Sequence, residues 1–124
     1  MTKSSKWLCL VGSSFLLIMA GFHGSGLSYI KGVMDDSNAK DFLKEIMPVL
    51  FAHPSLHLAV LAIFGFFAPS FKEGANNVLL LIAVLVLVDS LLAFYLAAIL
   101  PGILLLTAGL AFFMAAQLNQ RKLT

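Results

Sequence analysis

The stretch VLLLIAVLVLVDSLLAFYLA, residues 78–97, carries the reading of the fold. Its twenty residues hold one charged side chain, Asp89. At about 1.5 Å of rise per residue, about 20 apolar residues cross the roughly 30 Å hydrocarbon core of a bilayer. The whole chain supports that reading. It is 60% hydrophobic and only 11% charged over 124 residues, where a soluble domain is nearer half apolar and about a quarter charged. A soluble core of this size has no place for so much apolar surface. Lipid does, because the outer faces of membrane helices need no polar coat.

Three further runs of the same kind flank this one. On its C-terminal side, Pro101-Gly102 marks a tight turn or the opening of a last helix. A fourth span follows over about 101–118 and ends at Asn119, Gln120, Arg121 and Lys122. On its N-terminal side, the loop Ser70 to Asn77 offers Asn76 or Asn77 as a cap. The second span, about 46–68, contains Pro48 and Pro54. Either the helix begins near Ile46 and kinks at Pro54, or Pro54 is itself the first helical residue. The first span, about 7–29, holds no charge and is interrupted only by His23. Lys3 and Lys6 before it resemble a signal-peptide n-region, but the apolar run exceeds signal-peptide length, and an uncleaved anchor is the expectation.

Between the first two spans lies a polar segment, Lys31 to Glu45. Within and beyond it, Ala39, Phe42, Leu43, Ile46, Met47 and Leu50 repeat at the spacing of one helical face. With Asn38 as N-cap and Asp41 in the first turn, this predicts an amphipathic helix on the membrane surface. The expected fold is therefore all-α. It is one domain over residues 1–124, a four-helix transmembrane bundle with a short amphipathic interfacial helix between spans one and two.

Orientation follows from the basic residues. Lys3, Lys6, Lys72, Arg121 and Lys122 fall on one side, and Lys31, Lys40 and Lys44 on the other. Five against three predicts both termini on the cytoplasmic side. The two hairpins differ in loop length and polar content, which argues against an inverted-repeat transporter. A net charge of +2 with scattered basic residues excludes a nucleic-acid stripe. Cys9, the single cysteine, excludes an intrachain disulfide, and it sits too early to follow a signal peptide as a lipid-modified residue.

The chemistry concentrates in four polar residues at similar depth. His23 lies near the outer end of the first span, His53 and His57 in the outer half to middle of the second, and Asp89 just outside the middle of the third. By helical rise all four fall within about 10 Å of depth. His53 and His57, four apart, share a helix face in the spacing of many two-histidine metal sites, although Pro54 between them distorts it. Blander roles exist for two of them: a headgroup position for His23, and a helix cap for His53. Asp89 is the least dispensable, because an ionised carboxylate at mid-bilayer costs about 2.5–3.5 kcal/mol. The candidate partners for it are a histidine, Ser13 or Ser14, a metal, or another subunit.

Three histidines and a carboxylate suit a transition metal ion. Alternatively His23 faces His53 or His57 across a haem b, as axial ligands from two helices, with Gly21, Gly24, Gly26 and Gly65 giving a flat macrocycle room. Both point to a redox component exchanging electrons with a membrane quinone. Two other classes stand beside that expectation: an accessory subunit held by a membrane protein partner, and a proton-linked transporter acting as a homo-oligomer. The layout resembles small four-helix bacterial membrane proteins, among them redox-linked anchors that hold haem. The resemblance implies a bacterial inner membrane and lends no individual residue a role.

Overall fold

The computed structural model describes residues 1–71 and 73–120. Five α-helices make up almost all of it: α1 (Lys3–Ser25), α2 (Leu27–Asp35), α3 (Asp41–Phe67), α4 (Ala75–Tyr95) and α5 (Ile99–Gln120). A 3-10 turn, Ala68–Ser70, closes α3. Four stretches are long and apolar enough to cross a membrane: Lys3–Asp35, Asp41–Ser70, Ala75–Tyr95 and Ile99–Gln120.

Local chemistry sets the boundaries. Thr2 caps α1, its Oγ1 accepting from the Ser5 amide at 3.1 Å, as a hydroxyl at this position does. Gly26 separates α1 from α2 without reversing the chain, so the two run on as one stretch of 33 residues. At about 1.5 Å per residue that is near 50 Å, well beyond a 30 Å core. The short helix α2 buries none of its residues in the bundle and packs on the start of α3.

The segment expected as a separate surface helix after Asn38 is instead the first turns of α3 and continues into the second span without a break. Its cap is Lys40, not Asn38; a lysine side chain accepts no hydrogen bond, so only the Lys40 carbonyl takes part, bonding the amides of Leu43 and Lys44. Asp41 does lie in the first turn, where the helix dipole favours it. Both Pro48 and Pro54 lie inside α3, so the helix begins before either starting point read from the sequence. Each proline deprives the carbonyl four residues earlier of its donor, and a membrane helix tolerates this where the freed backbone is buried or lines a cavity.

The third span differs at its cap. Gly74, in the left-handed region at φ 77°, precedes α4, and Asn76 is engaged elsewhere, its Oδ1 accepting from Asn119 Nδ2 at 2.6 Å. That bond ties the start of α4 to the end of α5. The turn between these helices is a Schellman motif: the Ala98 amide reaches the Ala93 carbonyl at 2.9 Å and the Ala97 amide reaches Phe94 at 3.0 Å. Ala97 holds φ at 58°, the position that glycine usually fills. Pro101 falls in the first turn of α5, where no amide is required.

Helix α1 packs on α3 and α5, and α5 packs extensively on α4. Helices α3 and α4 meet only over a short stretch. The packing relies on small residues, as membrane bundles do: Gly12, Ala62, Gly65, Ala83, Gly102, Ala108, Gly109, Ala115 and Ala116 are all buried. Phe112 is fully buried and fills the junction of α1, α3 and α5. The side chains of Trp7, Tyr29 and Tyr95 all lie on the outside, as aromatic residues at a membrane interface do.

Candidate functional site in the bundle

Loose contact between α3 and α4 leaves a cavity of about 430 Å³. All four helical stretches contribute to its wall: Met19 and His23 from α1, His53, Pro54, His57 and Leu58 from α3, Asp89, Leu92 and Ala93 from α4, and Pro101 and Leu105 from α5. Leu96 and Ala98 of the α4–α5 turn complete it. The lining is mainly apolar, and its titratable members are the three histidines and Asp89 singled out from the sequence. Pro54 and Pro101 both stand on the wall, which places the irregular backbone where a cavity accommodates it.

Within the cavity the four residues play different parts. His57 Nε2 lies 3.5 Å from Asp89 Oδ2. That separation is within ion-pair reach for a protonated imidazole but beyond a good hydrogen bond, and among the described residues Asp89 Oδ2 has no hydrogen-bond partner although it is shielded from the surface. The two side chains keep 38% and 33% of their surface open, so the pair faces the cavity and is not sealed in the core. The partner for Asp89 is thus a histidine. Ser13 is fully buried against Gly65 and Phe112 instead, with its hydroxyl unpaired.

His23 is held on two sides. Its Nδ1 shares a hydrogen bond of 3.0 Å with Ser55 Oγ. Its ring stacks on Phe51 with centroids 4.4 Å apart and planes 21° from parallel. Among the described residues this leaves Nε2 as the ring nitrogen without a hydrogen bond. Helix α1 runs close to α3 here: a Cβ on Gly24 would stand in ordinary contact with Ser55 Oγ, at 3.4 Å. His53, on the outer side of α3, is the most exposed of the three histidines.

Among the described residues no three His, Cys, Asp or Glu side chains stand close enough together to hold a metal ion. His57 directs Nε2 at a carboxylate and His23 directs Nδ1 at a hydroxyl.

Two contributors were not singled out by sequence reasoning. Ser55 orients His23, and Phe51 backs the ring; their signal was that the two stand four residues apart, on one face of α3, with His53 between them. Ser90 is the other neighbour of note. Its buried hydroxyl donates to the Gly102 carbonyl at 2.9 Å, which fixes α4 against the start of α5 directly beside Asp89. Gly102 permits that approach, because a Cβ there would lie 2.7 Å from the Phe94 ring. Compared with known proteins, the chain matches no family model, no curated protein and no solved structure.

Proposed function

We propose that the protein binds a lipid-soluble molecule with a hydrogen-bonding head, of the quinone class, within the bilayer and serves membrane electron transfer through it. The observation that carries this reading is the His57–Asp89 pair on the wall of a mainly apolar cavity of about 430 Å³. Ligand pockets of roughly 300–1,000 Å³ with apolar walls and a few placed polar groups are the usual form of a small-molecule site. A quinone ring offers two carbonyl acceptors on a flat apolar body. An imidazole N–H supplies a donor to one of them, and Asp89 beside it, in its protonated form, gives a proton to the ring oxygen when an external redox partner supplies the electrons, and takes it back on reoxidation. Leu58, Leu92 and Leu105 suit the ring faces and the first part of an isoprenoid tail.

A metal or haem centre gains less support from the donor geometry, because the ring nitrogen of His57 that faces the cavity wall is already directed at Asp89. The basic residues favour both termini on the cytoplasmic side, although Lys72, Arg121 and Lys122, which enter that count, lie outside the described residues.

The test is titration of the protein, purified in mild detergent, with a short-tailed benzoquinone analogue, followed by calorimetry. Saturable binding that weakens at least tenfold in His57→Ala and in Asp89→Asn is the expected result. An absorption spectrum and metal analysis belong on the same sample. A Soret band, or one metal ion per chain, would replace the quinone reading with a bound cofactor, and binding unchanged in both variants would remove it.

A further inference from the structure

A second cavity, of about 350 Å³, lies at the opposite end of the bundle from α2. Lys3, Lys6, Trp7, Cys9 and Leu10 of α1 line it, together with Phe66 at the end of α3 and Pro69 in the turn that follows. Lys3 and Lys6 are three residues apart, which puts both ammonium groups over one face of the helix. Among the described residues no acid lines the cavity. Four of the six acids, Asp35, Asp36, Asp41 and Glu45, belong to the far end, Asp89 faces the first cavity, and Glu73, in the loop at this end, is not part of the lining. Among the described residues neither lysine forms an ion pair.

The cavity is polar at one level and apolar at the next. Leu10 is one helical turn further along than Lys6, about 6 Å deeper. Phe66 faces the same space from α3. Trp7 lies between the two levels with 59% of its surface open, the position an indole takes where headgroups meet acyl chains. Two cations over an apolar slot complement a molecule with an anionic head and a hydrocarbon chain. A free anion has no use for the slot, and a zwitterionic lipid cancels half of the attraction with its own cation.

We infer that this cavity is a binding site for one anionic phospholipid, with its phosphate between Lys3 and Lys6 and the upper part of an acyl chain against Leu10 and Phe66. Each lysine near an anionic headgroup strengthens binding by about fivefold. The site stands apart from the quinone cavity and does not depend on that reading.

Trp7 is the chain's single tryptophan, so its fluorescence reports directly on this cavity. The experiment compares brominated phosphatidylglycerol with brominated phosphatidylcholine, each at the same fraction in vesicles of phosphatidylcholine holding the intact protein. Phosphatidylglycerol is expected to quench Trp7 at severalfold lower fractions. That preference is expected to vanish in the double variant Lys3→Gln, Lys6→Gln and to survive in Lys31→Gln, Lys40→Gln at the other end. Equal quenching by the two lipids would overturn the proposal, even in the unaltered protein and so without reliance on any variant. Equal loss in both double variants would reduce it to diffuse surface charge. Abolition of the preference by inorganic phosphate, at ionic strength matched with chloride, would make the site one for a free anion and not for a lipid.

Discussion

His57 Nε2 and Asp89 Oδ2 approach to 3.5 Å across the one side of the bundle where the helices pack loosely. Helices α3 and α4 share few other contacts, so this pair is a large part of what joins them at mid-depth. Interactions of this kind in a membrane protein couple by about 0.6 kcal/mol on average and up to about 1.7. A double-mutant cycle over His57→Ala and Asp89→Asn, read as unfolding free energy in mixed micelles, is expected to give a coupling energy in that range. Additive effects within about 0.3 kcal/mol would mean that the two side chains do not sense each other.

His23 differs from His57 in being held by neutral groups, Ser55 and Phe51. Ser55→Ala is expected to cost about 1 kcal/mol or less, since a half-exposed hydrogen bond is lost and neither partner is sealed away from other donors. Its more specific effect is on the ring. With Ser55 removed, Nδ1 loses its fixed partner; because a serine hydroxyl can donate to Nδ1 or accept from it, the bond holds the ring without choosing the tautomer. Nitrogen NMR of labelled histidine is expected to show the His23 Nδ1 signal shifted in the variant, as its hydrogen bond is lost. An unchanged spectrum would count against the hydrogen bond as the orienting contact.

The number of spans was legible in the sequence because composition and length decide it: four stretches carry an apolar run long enough to cross a bilayer. Boundaries were less legible, for reasons visible at single residues. Asn38 and Asn76 are good caps by type, yet the helices begin at Asp41 and Ala75. Asn76 serves a tertiary bond to Asn119 that no local pattern announces. Pro48 and Pro54 signal a break in water, but a membrane helix runs through them because the bilayer offers no better partner for the remaining backbone groups. For the candidate site, common depth could be counted along each helix. Convergence could not, because it depends on rotation about each axis and on the wide spacing of α3 from α4. The structure supplies that rotation: all four polar residues face one cavity, while only His57 and Asp89 come within ion-pair reach. The Ala93–Ala97 pair shows the same limit in reverse. Its small-residue spacing suggests helix packing, but Ala97 lies beyond the helix, in the left-handed turn.

That turn yields a stabilising substitution. Ala97 holds φ at 58°, a conformation costing a residue with a Cβ about 1–2 kcal/mol. Glycine removes the cost but loses about 0.5–1 kcal/mol through the greater freedom of the unfolded chain. Ala97→Gly is therefore expected to stabilise the protein by up to about 1 kcal/mol and to raise the unfolding midpoint in detergent. Ala97→Val is expected to destabilise, because a β-branched residue at positive φ is more strained still. A fall in stability with glycine would show that the turn is not strained.

Of the glycines, Gly65 has the least room for a side chain, where α3 meets Ser13 of α1 and Phe112 of α5. A Cβ on Gly65 would come within 2.6 Å of the Phe112 ring, closer than carbon atoms approach, and Phe112 is fully buried with no space to withdraw into. Gly65→Ala is expected to cost about 1–3 kcal/mol, the usual range for overpacking. Phe112→Leu alone leaves a void and is also expected to destabilise. Together they relieve each other in part, since the smaller side chain makes room for the new methyl group. The double variant is therefore expected to be more stable than the sum of the single effects allows, by more than the roughly 0.5 kcal/mol scatter of independent sites. The relief is incomplete because Ser13 Oγ also crowds the new methyl, and Ser13→Gly added to the pair is expected to recover more of the loss. Strict additivity across the series, measured as unfolding in mixed micelles, would show that α3 shifts as a whole and that Phe112 is not the residue fixing its distance from α5.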